Sequence, residues 1–146
     1  MGNRFQVGVR TPAATTGAAY ATIHTGASYR ARILEIGVAT SAATLSSIGL
    51  GTPANTPVAT TSTLGQVYDT ADGVATTNAD TAWSTAPTAP TIFMRRFAIP
   101  ATSGAGLIWT FDPTAPLILA KSSWLCLWNF GGSTAAACDV YFVWEE

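Results

Sequence analysis

Apolar and polar residues alternate in short runs along this chain, and the runs are closed by Gly, Pro and Ser. The last third shows it best. The stretches 91–99, 106–111, 116–120, 124–130 and 137–144 are rich in Val, Ile, Leu, Phe and Trp. They lie about ten residues apart, the spacing of strands in an antiparallel sandwich or barrel. None shows the 3.6-residue period of a helix. A turn centred near Gly132 would place Cys126 opposite Cys138 and Trp124 opposite Val140. Trp124, Cys126, Trp128, Cys138, Val140, Phe142 and Trp144 would then share a core face. The other face, with Leu125, Leu127, Asp139, Tyr141 and Val143, stays largely apolar. A sheet face that meets water alternates more cleanly, so loops or a neighbouring subunit are expected to cover it.

The first third carries one strong strand, Tyr29 to Val38. Its apolar phase runs Tyr29, Ala31, Ile33 and then shifts to Leu34, Ile36, Val38, which predicts a β-bulge or a change of sheet. Phe5, Val7 and Val9 alternate with Arg4, Gln6 and Gly8, so residues 1–12 read as an extended arm or an edge strand. Residues 18–24 give a weaker strand signal. Residues 40–90 are rich in Ala, Thr, Ser and Pro and read as long loops, with β-like pieces at 45–50 and 65–69. Fifty such residues are unusual as bare loop in a compact domain. The expected fold is all-β: an antiparallel β-sandwich, one domain over 1–146, with its main core strands in 91–146.

Composition sharpens this picture. Ala and Thr fill 49 of the 146 positions, and there is one Lys. Charged residues are 10%, against about 25% in ordinary soluble domains. Without the 26 alanines, 44 hydrophobic residues remain to build a core. The net charge of −1 offers no cluster of cations for phosphate, so no nucleic-acid partner is expected. No apolar run reaches the ~20 residues of a membrane span, and Met1 to Phe5 opens no secretory signal. A free small protein keeps a charged surface for solubility. A Thr/Ala coat points instead to a surface that meets other protein.

Chemistry is scarce. His24 is the only histidine, which leaves no catalytic triad or multi-histidine metal site. Cys126 and Cys138 are too few for zinc, which takes about four ligands. They read as a disulfide across the hairpin or as buried thiols, and the thiol reading is preferred without a secretion signal. Asp69, Asp72, Asn78 and Asp80 miss the spacing and closing Glu of a calcium loop, so a turn is expected. No enzyme and no cofactor are predicted. The candidate interface residues are Arg4, Phe5, Arg30, Arg32, Trp83, Arg95 and Arg96. Trp83 lies outside the strong strands, as an exposed anchor would. Arginine suits ion pairs across an interface through its planar fork, the alternative being solvated strand edges. Residues 1–38 carry a charge of +3 and residues 39–90 of −3, so like subunits could pair head to tail.

The start Met1-Gly2-Asn3-Arg4-Phe5, the strand Tyr29 to Val38, the Ala/Thr/Gly-rich middle, the strands from Arg95 to Trp128 and the closing Val140 to Trp144 with Glu145-Glu146 resemble a known group. The chain is similar to small virion structural proteins of tailed bacteriophages, especially head-decoration (cement) proteins with a jelly-roll-like β-sandwich. The resemblance implies a place on the capsid surface of the virion, after assembly in the host cytoplasm. It implies the major capsid protein as partner, a homotrimer, and a role in locking neighbouring shell subunits. A tail-associated or adhesin-like carbohydrate-binding module is the alternative, with Trp83, Asp80 and Asn78 as its cluster.

Overall fold

The computed structural model describes residues 2–146, and every regular element in it is a strand. The strands are β1 (Arg4–Arg10), β2 (Ala19–His24), β3 (Ala31–Thr40), β4 (Ser46–Gly51), β5 (Val58–Leu64) and β6 (Gln66–Val67). They continue as β7 (Asn78–Thr85), β8 (Arg95–Ile99), β9 (Gly106–Thr110), β10 (Leu117–Leu119), β11 (Trp124–Asn129) and β12 (Cys138–Glu145). Two six-stranded antiparallel sheets result. The first has the order β10-β3-β12-β1-β6, with β9 also on β3; the second has the order β5-β7-β2-β11-β4-β8.

The pairing is nested. β1 pairs β12, β2 pairs β11, β3 takes β9 and β10, and β4 pairs β8. A long hairpin rolled in this way sends its strand pairs alternately to two sheets. The expected β-sandwich is therefore present. The phase shift in the third strand is a bulge: Val143 faces Glu35 and Trp144 faces Ile33, so Leu34 is the extra residue. The inserted residue lets Ile33 and Ile36 both reach the core, where each is fully buried.

Three expectations need correction. First, β11 and β12 do not form a hairpin. They lie in different sheets, and 130–137 carries the chain from one sheet to the other. Asn129 fixes this crossing: its amide donates to the carbonyls of Ala14 and Ser133 and its Oδ1 accepts from Gly131 N. Leu125 and Leu127 thus face the main core, while Cys126 and Trp128 pack on the opposite side of their sheet with Ala19. Both faces of β11 are covered, so both apolar phases were real. Second, residues 40–90 are not long loops. They hold β4, β5, β6 and β7, and the last three wrap around to extend the far edges of both sheets. β5 is largely threonine and serine; its three threonines and Val58 suit a strand through β-branching without burying much apolar surface. Third, of the two readings of the N-terminal residues, 4–10 form the strand and not the arm, and the strand is not quite at the edge. β1 is bonded along its whole length to β12, and β6 adds to its other side over two residues.

The first third also contributes more of the core than its apolar count suggests. Of 23 residues in the main cluster, ten lie before position 39. Phe5 and Trp144 stack at 6.0 Å between ring centroids. Gly65, at the corner between β5 and β6, passes so close to Trp144 that a Cβ there would sit 2.4 Å from the indole.

Candidate interaction surface

The register places the outward side chains of the first sheet in rows. Gly8, Tyr141, Gly37 and Ile108 stand opposite one another across β1, β12, β3 and β9. The next row is Arg10, Asp139, Ala39 and Gly106; on the other side lies Gln6, Val143, Glu35 and Thr110. These alternate with Val38, Val140 and Phe142, which are buried beneath. Two of the four members of the central row are glycine, so only Tyr141 and Ile108 stand on it. The Tyr141 ring lies flat over Gly37, where a Cβ would meet Cε1 at 2.0 Å. Its hydroxyl donates to Glu35 Oε1 at 2.6 Å. That hydrogen bond pushes the Tyr141 phenol up to about 12, because the neutral form donates to a carboxylate.

With the ring held there, the space over Gly8 stays open. The result is an open apolar groove of about 820 Å³ between Tyr141, Ile108, Ala39 and Gly106. Ile108 is 62% exposed on its rim. Arg10 and Asp139 close one end with two hydrogen bonds of 2.7 and 2.5 Å. The Arg10 guanidinium holds the Asp139 carboxyl below the usual range. Toward the other end of the sheet, Arg4 and Arg32 share the Glu145 carboxylate at 3.0 and 3.2 Å, and Ile118 stands exposed beside Arg32.

The outer face of the second sheet is different, because the chain covers it. Residues 86–94, between β7 and β8, run across it. Phe93 lies on Gly49 and Pro90 on Gly51, each closer than a Cβ would allow. Phe93 and Phe130 pack at 5.9 Å, and the Arg96 guanidinium sits 4.0 Å above the Phe130 ring. Beneath lie Trp128 and Cys126.

The predicted interface residues therefore scatter. Arg4 and Arg32 meet at Glu145 on the first sheet. Phe5 belongs to the core, 2% exposed. Arg30 is exposed just before β3. Trp83 is on β7, half-buried against the Cys126 and Trp128 cluster, rather than an exposed loop anchor. Arg95 and Arg96 lie on β8 over Phe111 and Phe130. The groove itself was missed; the signal for it was Gly8 and Gly37 in mid-strand, where glycine marks a close approach or open space.

One polar cluster merits a chemical reading. Asp80 is fully buried and accepts from Thr22 at 3.0 Å, from Ser62 at 2.5 Å and from His24 Nδ1 at 2.7 Å. Trp124 stacks on the imidazole at 5.6 Å. Ser62 and His24 both bond Asp80, so the carboxylate holds the middle place that the imidazole takes in a triad. The cluster ties β2, β5 and β7 together by satisfying a buried charge. Cys126 and Cys138 are free and buried in separate clusters; burial pushes Cys126 up to about 12 and Cys138 to about 11. Among the described residues, no three His, Cys, Asp or Glu side chains gather into a metal site. No known family model matches the chain, and no curated protein or solved structure matches it.

Proposed function

We propose that this protein works by contact alone, as a virion structural protein that decorates the outside of an assembled phage head as a homotrimer and binds the major capsid protein. The virion setting comes from the resemblance stated above. The observation that supports a contact role is the bare outer face of the first sheet, a glycine-floored apolar groove flanked by ion pairs. Small floors of this kind let another backbone approach closely, and an apolar centre with a polar rim is the anatomy of a recognition surface. A protein that binds only the assembled shell stabilises it by mass action, and three linked copies raise the effective affinity.

The carbohydrate-binding alternative draws no support from its sequence cluster. Both Asp80 oxygens are engaged inside the sheet, and Trp83 leans on the apolar cluster beneath it. Immunogold labelling of intact particles, from a lysate of the strain encoding the chain, tests the proposal. Label over the heads is expected. Label confined to tails, or none on intact particles, would overturn it.

A further inference from the structure

The two sheets end differently. The first has one long edge and not two: it ends on β6, two residues long, and on the other side on β9 and β10, five and three residues long, which follow one another along β3. The second ends on β8, five residues long, and on β5, seven residues long. Each of these pairs with a neighbour on one side only. Their far sides present unpaired N–H and C=O groups, a template for another strand. Neither strand carries the lysine or proline that commonly blunts such an edge.

Strand number and direction decide what can add there. The sheet has six strands, and every neighbouring pair is antiparallel. β5 and β8 therefore run in opposite directions. A second copy displaced sideways, without being turned over, brings its β5 antiparallel to β8 of the first. Pairing β8 with β8 of a copy is also antiparallel, but it gathers the arginines of both strands at one seam. Like charges facing across a ladder destabilise it. Arg95 and Arg96 have no carboxylate partner among the described residues. β5, by contrast, has no charge at all; its ladder to β7 shifts register three times between Val58 and Ser62, so the regular edge that β8 can meet is Ser62 to Leu64. Phe97 on one edge and Leu64 on the other are both exposed and would gain cover.

We infer that copies of this chain join head to tail, with β8 of one subunit adding to the β5 edge of the next. The inference rests on the homo-oligomeric part of the proposed function; a heterologous contact closes into a ring when its rotation divides a full turn and runs on as a filament when it does not, and the trimer is the form closed at a third of a turn. Sedimentation velocity of the full chain and of two edge-blocked variants, Phe97→Lys and Thr63→Lys, tests it. The full chain is expected to sediment as a multiple of 15.1 kDa. Each variant alone is expected as monomer. An equimolar mixture of the two is expected to form dimers and stop there, because each variant keeps one open edge. Either variant remaining oligomeric alone, a monomeric mixture, or a monomeric full chain would each overturn the contact. Circular dichroism checks folding, and Ala98→Lys with Thr61→Lys replaces any variant that fails to fold. Head labelling by immunogold is indifferent to this result, so gold on the heads beside a monomeric chain sinks the strand contact and spares the decoration role.

Discussion

The outer faces of the two sheets have the same strand count beneath them and opposite fates. Over the second sheet, Phe93 and Pro90 fill the hollows above Gly49 and Gly51. Over the first, Tyr141 fills the hollow above Gly37 only, and nothing stands over Gly8. Glycine in mid-strand thus has two uses in one molecule. In one sheet it makes room for the chain's own strap. In the other it leaves room. The first kind serves stability, and the second leaves the face of the sheet open.

Substitutions can break that comparison. Trp128→Ala, on the covered face, removes a side chain 7% exposed. A buried Trp→Ala change costs about 3–5 kcal/mol, so urea unfolding should show a large drop in midpoint. Gly37→Val comes next. Its side chain must evict the Tyr141 ring, and overpacking of this kind costs about 1–3 kcal/mol; a stability unchanged by urea titration would contradict the packing described. Ile108→Asp, on the bare face, should move stability within about 0.5 kcal/mol yet lower co-sedimentation with purified heads. Equal stability losses for Ile108→Asp and Trp128→Ala would dissolve the distinction between the faces.

The smallest effect is a titration. An ordinary tyrosine ionises near pH ~10, whereas Tyr141 in the fold holds its proton to about 12. A raised pKa means the fold favours the neutral phenol. That contribution is complete below the ordinary value and is lost as pH climbs from there toward 12. Phenolate absorbance should show two late-ionising tyrosines, Tyr141 and the fully buried Tyr20, and Glu35→Gln should move only Tyr141 earlier.

Much of the fold was legible because alternation is local. The five strands of the last third and the bulge near Leu34 follow from side-chain phase alone. The false hairpin between 124 and 144 shows the limit. Gly131 and Gly132 look like a tight turn, but the decision between turning back and crossing over rests with Asn129 and its bonds to Ala14 and Thr15, more than a hundred positions away. In the middle, the pieces at 45–50 and 65–69 are legible as β4 and β6, while β5 and β7 are not, for a different reason. Val58 to Leu64 is β-branched enough for a strand, but its Thr and Ser do not alternate with apolar residues, since an edge strand has little to bury. The groove was hardest to see, because it is made by side chains that are missing.

The nested pairing has a consequence in time. Arg4 and Glu145 meet across 141 positions of sequence, and β1 cannot complete its ladder until β12 exists. At about 5–20 residues per second, a ribosome leaves the opening strand waiting on the order of ten seconds for its mate. Sheets built from such distant partners close in milliseconds to seconds, so the newborn chain carries unmatched apolar strands for most of its synthesis.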